Sequence, residues 1–218
     1  VVHNLKKKRS VDLTGINLTD NADDVLCYDE IQMVVDVMGT VNIAKEYIER
    51  ALKAGKHVIT ANKDLIATHG PELISLAKEH GCDLCYEASV AGGIPILRTI
   101  VNSFAADRII EVRGIVNGTT NYIMTQMNKN GASYEDALES AQELGFAEAD
   151  PTNDVDGIDA AYKMIILTQF AFGKDVTMDQ VKVKGRRGIQ KADIAEAKRL
   201  GYVIKLLGIA KLVNGHID

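Results

Sequence analysis

The spacing of hydrophobic and polar residues changes character part-way along the chain. In the first half, short apolar runs alternate with stretches of helical periodicity. Residues 31–37 (IQMVVDV) form a continuous apolar run of strand length, suited to a parallel sheet covered on both faces. Residues 42–54 have apolar positions at helical spacing and stop at Gly55, a residue suited to a left-handed cap. Residues 57–61 read as the next strand. Pro71 sits where a further helix would begin, Gly81 follows its end, and residues 84–86 read as another strand. Val1 and Val2 read as the tail of an earlier strand. Strands alternating with helices of this length predict right-handed βαβ units. The fold class is therefore α/β, with a partial Rossmann-type doubly wound parallel sheet.

The second half predicts an α+β unit. Residues 109–116 read as a strand leading into Asn117-Gly118. Ser133, followed three residues later by Asp136, is a capping-box start for a helix through Leu144, which Gly145 ends. Helices are expected over 157–172 and 193–200, then a strand over 202–212 and a turn at Asn214-Gly215. The change falls near Gly92-Gly93-Ile94-Pro95, so the predicted domains are 1–94 and 95–218. A dinucleotide-binding domain normally opens with a strand and G-x-G-x-x-G. The chain shows none at its start and ends on a turn signal, so both ends read as cut.

Composition narrows the classes. Hydrophobic residues are 46% and charged residues 25% of 218, the balance of an ordinary globular protein. A net charge of −5 supplies no basic field for nucleic acid or anionic membrane. No apolar run reaches the roughly 18 residues of a membrane span, and residues 1–9 contain no signal-peptide core. Three cysteines are too few for a disulfide framework, which fits a reducing, cytoplasmic setting. Cys82 and Cys85 form a C-x-x-C, but strand spacing points them to opposite faces and no second pair completes a metal site.

The helix over 157–172 carries the most chemical information. Asp159 and Lys163 are its only charged residues and share one stripe, and the helix is otherwise apolar nearly all round. An amine held in low dielectric beside a carboxylate can be tuned for proton transfer. A plain i,i+4 ion pair is the alternative. Upstream, Glu148, Asp150, Asp154 and Asp156 crowd together, either as a site for an ammonium-bearing substrate or as an acidic loop capping the next helix. Lys63 follows a strand at the end where doubly wound sheets bind ligands; it is otherwise a surface lysine. Residues 117–121 (NGTTN) link a strand to a helix, where free N–H groups and hydroxyls suit an anion or simply cap the helix. The run Lys6-Lys7-Lys8-Arg9 leans toward the 2′-phosphate of NADP, or is a solvated basic run. Residues 87–95 (EASVAGGIP) could offer carbonyl oxygens to a hard cation, though composition alone favours a tight turn.

The segments ALKAGKHVITANK, YEASVAGGIPI, GIVNGTTNYIMTQM, AQELGFAEADPTNDVDGIDAAYK and LGYVIKLLGIA resemble homoserine dehydrogenase, in order and along essentially the whole chain. The resemblance implies NAD(P)-dependent interconversion of L-homoserine and L-aspartate 4-semialdehyde, in threonine, methionine and isoleucine biosynthesis. It implies that Lys163 is the general acid/base and that Asp159 binds substrate and orients Lys163. Glu148 then accepts the substrate ammonium group, with Asp154 also in the substrate site. Lys63 becomes the second lysine, at the cofactor–substrate junction. Gly118 and Thr119 become substrate contacts, and Gly145 and Gly39 cofactor contacts. Glu87 with the backbone at Val90, Gly92 and Ile94 resembles a sodium-binding loop. Pairing through the second domain's sheet implies a homodimer or homotetramer. Two positions depart from the pattern: Asp36 stands where Glu is common and Thr40 where a second Gly is common. A catalytically silent NAD(P)-binding fragment or regulatory module, and a dehydrogenase for another amino-acid aldehyde, are the competing readings.

Overall fold

The computed structural model describes residues 1–186 and 188–218. The chain divides into two units, Val1–Ser89 and Val90–Asp218, slightly before the expected change at residues 94–95.

In the first unit a short helix α1 (Asp23–Leu26) precedes β1 (Met33–Asp36), α2 (Asn42–Lys53), β2 (His57–Thr60), α3 (Lys63–Glu79) and β3 (Leu84–Cys85). The strands lie parallel in the order β1-β2-β3, with Val34 opposite Val58 and Ile59 opposite Cys85. Ala44, Ile48, Ala51 and Leu52 of α2 and Leu65, Leu73 and Ala77 of α3 bury against Val58 in one core. Both helices therefore cover the same sheet face, as right-handed crossovers running in one direction require. The opposite face is bare within this unit: Met33 is 52% and Val35 60% exposed, and Ile59 and Cys85 face out with them. The burial of residues 31–37 on both faces expected from their apolar run is thus not realised here. Cys82 packs toward the core and Cys85 does not, as the spacing implies. Val1 and Val2 form no strand, although the Val2 N–H donates to Thr19 O at 2.8 Å.

Helix α3 corrects a further expectation. It begins at Lys63 rather than at Pro71, which lies inside it. Asn62 supplies the reason: its side chain accepts from the Leu65 N–H at 3.1 Å, capping the helix eight residues earlier.

In the second unit a 3-residue helix α4 (Ile96–Arg98) leads through a π-helical turn (Thr99–Ser103) to β4 (Glu111–Gly114). Then come α5 (Gly118–Asn130), α6 (Tyr134–Glu143), α7 (Thr152–Val155), α8 (Ile158–Phe172), α9 (Lys191–Arg199), β5 (Gly208–Val213) and β6 (His216–Ile217). The sheet is antiparallel in the order β4-β5-β6. Asn214 (φ 50°) and Gly215 (φ 85°) close the β5–β6 hairpin as expected for that dipeptide. The predicted strand over 202–212 shortens to β5; residues 202–207 are irregular. Ser133 and Asp136 form the reciprocal capping box that starts α6. Helix α8 is buried along most of its length and packs on β4 and β5. The approach to β5 is close, because a Cβ at Gly208 would lie 2.5 Å from Met164 Sδ. Behind α7, Arg186 donates its N–H to Val155 O at 2.8 Å and lays its guanidinium 3.3 Å above the Tyr134 ring. No helix is long and apolar enough to cross a membrane among the described residues.

Candidate active site

The site in the second unit is built where the chain leaves β4. Asn117, 4% exposed, is the N-cap of α5: its Oδ1 accepts from the Thr120 N–H at 2.8 Å and from Thr120 Oγ1 at 2.7 Å. That leaves its two amide protons for other partners. Both go to carboxylates, to Asp154 Oδ1 at 2.6 Å and to Asp159 Oδ2 at 2.8 Å. Asp159 stands in the first turn of α8, entered through Gly157 at φ 85°. One turn later Lys163 donates from Nζ to the same Asp159 Oδ2 at 2.7 Å and to Val116 O at 2.8 Å.

The apolar surroundings of α8 and the side-chain exposures of 19% for Lys163 and 9% for Asp159 remove this pair from bulk water. An exposed i,i+4 pair is worth only a few tenths of a kcal/mol. Here each charge is desolvated and so relies on its protein partners. An ammonium group has three N–H bonds. Two are fixed on Val116 and Asp159, and the third has no partner among the described residues. The two bonds fix the ammonium nitrogen in place between α8 and the end of the β4 segment.

The other candidates fall around it unevenly. Gly118 and Thr119 open α5, but the Thr119 hydroxyl is buried and donates to Phe146 O at 2.6 Å. The Thr119 and Thr120 hydroxyls are thus spent on internal partners rather than offered to an anion. Gly145 is exposed beside Phe146. The Glu148 side chain is exposed, while its carbonyl accepts from Gln142 Nε2 at 3.0 Å. Asp150 accepts the Thr152 N–H at 3.1 Å just ahead of α7, whose N-cap, Pro151, has no side-chain capping bond. A cavity of about 520 Å³ lies against another part of α8, at Met164, Ile165 and Thr168, and none of the candidate residues lines it.

In the first unit Lys63 is the first residue of α3, half-buried, with Asp64 Oδ1 3.4 Å from its Nζ. Gly39 is exposed in the loop between β1 and α2. Both sit beyond the carboxyl ends of parallel strands, where open α/β sheets take ligands. Asp36 is 5% exposed and turned inward: it accepts from the Met38 N–H at 2.9 Å and from Thr60 Oγ1 at 2.7 Å. Its carboxylate is therefore committed within the protein and not presented to a ribose.

Glu87 opens a 3₁₀ turn, Glu87–Ser89, at the end of the first unit; Val90, Gly92 and Ile94 open the second. Ala91 (φ 52°) and Gly93 (φ 80°) make a tight turn there, and Ile94 O accepts the Ile96 N–H at 2.8 Å. Among the described residues no three His, Cys, Asp or Glu side chains gather as metal ligands. A cation at this turn would rest on carbonyl oxygens, a donor set that fits a hard ion and not a transition metal.

Sequence reasoning missed Asn117 as a site residue. It registered only as a possible cap, and its links to Asp154 and Asp159 span 37 and 42 residues.

A parallel α/β unit of dinucleotide-binding type, followed in the chain by a unit that buries a lysine on a carboxylate, is the plan of a nicotinamide-dependent dehydrogenase. The family profile for homoserine dehydrogenase matches residues 95–217, and that for the homoserine dehydrogenase NAD-binding domain matches residues 1–87. The homoserine dehydrogenase of Bacillus subtilis is 53% identical over 218 residues, which cover 100% of this chain and 50% of that protein. That of Lactococcus lactis is 54% identical over 186 residues, 85% of this chain and 44% of that protein. The crystal structure of a homoserine dehydrogenase from Thiobacillus denitrificans superposes with a TM-score of 0.91 at 43% identity, covering 94% of this chain and 47% of that one. The chain belongs to the homoserine dehydrogenase family. It spans about half the length of the curated relatives it matches.

Proposed function

We propose that the protein containing this chain interconverts L-homoserine and L-aspartate 4-semialdehyde with a nicotinamide dinucleotide. The observation that carries the reading is the Lys163 ammonium, fixed on Asp159 and Val116 with its third N–H unspent among the described residues. When bound, the dinucleotide supplies or accepts the hydride at the carbon that changes oxidation state. The protein's part is position and proton transfer. Lys163 delivers a proton to the aldehyde oxygen in reduction and recovers it in oxidation. Asp159 holds that ammonium in place and balances its charge, and Asn117 holds Asp159. Glu148, exposed and acidic, receives the substrate ammonium group, with Asp154 near the same strand-to-helix turn. Gly118 and Thr119 present backbone to the substrate. Lys63, Gly39 and Gly145 meet the dinucleotide.

The finer parts of the reading follow the same logic. The basic run at Lys6–Arg9 favours NADP over NAD. Glu87, with the carbonyls of Val90, Gly92 and Ile94, would hold a sodium ion. The expected assembly is a homodimer or homotetramer in the cytoplasm, serving threonine, methionine and isoleucine biosynthesis. The names of the relatives favour an enzyme over a silent dinucleotide-binding module.

The test follows the absorbance of reduced nicotinamide with L-aspartate 4-semialdehyde, using the full-length protein. Lys163→Ala is expected to lower kcat by about 10²–10⁴-fold. A near-parental rate removes Lys163 from the proton-transfer role. Faster turnover of glutamate semialdehyde would reassign the substrate.

A further inference from the structure

Gly39 and Lys63, both assigned to the dinucleotide above, belong to different segments: the loop after β1 and the first residue of α3. One buried side chain touches both. Asn62 is 8% exposed. Its Oδ1 accepts from the Leu65 N–H at 3.1 Å and so caps α3. Its Nδ2 donates to Met38 O at 3.1 Å and Thr40 O at 2.9 Å, the carbonyls on either side of Gly39. Its backbone N–H donates to Thr60 Oγ1 at 3.0 Å. Thr60 in turn donates to Asp36 Oδ2 at 2.7 Å, and the other Asp36 oxygen accepts the Met38 N–H at 2.9 Å. The loop is thus held at both ends by a buried chain of hydrogen bonds that closes on itself.

The residue type matters. Ser and Asp cap a helix about as well as Asn does. Only Asn joins a capping acceptor to two donors on so short a side chain. Both donors are used on the loop, so the amide itself is not available to a ligand. We propose that Asn62 is a positioning residue for the dinucleotide: it ties the 38–40 turn to the N-terminus of α3 and thereby sets the spacing between Gly39 and Lys63. The proposal rests on the reading that this unit binds a nicotinamide dinucleotide.

Asn62→Asp and Asn62→Ser separate the two jobs, because each keeps the cap and removes the donors. In the full-length protein, NADPH and NADH are titrated by nicotinamide fluorescence, with the thermal midpoint and the KM for homoserine measured alongside. The expected result is a dinucleotide Kd raised by about tenfold or more, with the homoserine KM within about twofold of the parent. Dinucleotide affinity equal to the parent in both variants overturns the proposal, as does an equal rise in both constants. Should the Asn62 variants fail to fold, Thr60→Val removes the hydroxyl that braces Asn62 and Thr60→Ser restores it. Weakened dinucleotide binding in Thr60→Val with recovery in Thr60→Ser supports the role, and parental binding in both overturns it. A parent protein that binds neither dinucleotide overturns the proposed function itself, a result distinct from variants that match a binding parent.

Discussion

Removing the Asn117 side chain should damage the protein out of proportion to its size. The residue is 4% exposed and makes four hydrogen bonds through one amide. In Asn117→Ala the α5 cap is lost, at a cost of about 0.5–2 kcal/mol. Two donors to carboxylates are lost as well, each worth about 1.5–3 kcal/mol where the partner is charged and shielded. These terms share partners and do not add fully. A net loss of about 3–5 kcal/mol is expected, read from urea denaturation at neutral pH and from amide exchange in α5. A loss below about 1 kcal/mol would show that the cluster does not depend on Asn117. Asn117→Asp distinguishes the cap from the donors. The new carboxylate can still cap α5, but it lies against Asp154 and Asp159, and crowding like charges raises carboxyl pKa values. A raised folded-state pKa gives stability that is present at low pH and lost as pH rises through it. The deficit of Asn117→Asp relative to the parent should therefore be greatest at neutral pH and shrink as pH falls toward about 4. A deficit that grows on acidification would refute this account.

Two further perturbations follow from packing and charge elsewhere. Gly208→Ala would place a Cβ 2.5 Å from Met164 Sδ and 2.6 Å from its Cγ. It should cost about 1–3 kcal/mol in denaturation, and Met164→Ala in the same chain should recover part of that loss; strict additivity in the double-mutant cycle would contradict the contact. Lys45 bridges Glu49 of α2 and Glu72 of α3 at 2.8 and 3.1 Å, and its hydrogen bonds hold both carboxyls below the ordinary value of 4.5. Lowered carboxyl pKa values give stability that is full above that value and lost as pH falls through the folded pKa. Lys45→Ala should therefore flatten the acid limb of the stability curve below about pH 4.5 and matter less if the melts are repeated in high salt.

Local chemistry was the most legible part of the fold. The Ser133–Asp136 capping box, the Asn214-Gly215 turn and the solvent-free pattern of α8 each follow from residues within a few positions of one another. The pairing of Asp159 with Lys163 was readable for the same reason, since one helical turn separates them. What failed depends on distant partners. The apolar residues 31–37 fit a fully covered strand, yet coverage is set by the side on which α2 and α3 cross, which the run itself does not encode. Pro71 reads as a helix start, but Asn62 caps the helix eight residues earlier and the proline lies in its interior. Residues 202–207 carry strand-like side chains but pair with no strand among the described residues. Asn117 and Asn62 were invisible as organisers because each uses its acceptor locally and its donors on distant segments. Capping is written in the sequence; the second use of the same amide is not.

The tethering of Lys163 has a consequence for the proton transfer proposed for it. An ammonium that has given up its third proton is an amine with two N–H bonds and a lone pair. Two is the number already occupied, by Val116 O and Asp159 Oδ2. Both protonation states can therefore keep the same two tethers, with the lone pair taking the direction of the departed proton. If Lys163 is the proton donor proposed above, it could take a proton back along the direction in which it gave one while keeping both tethers. In the proposed reaction, hydride transfer in either direction would meet the same two tethers, because they match the two N–H bonds that an amine retains.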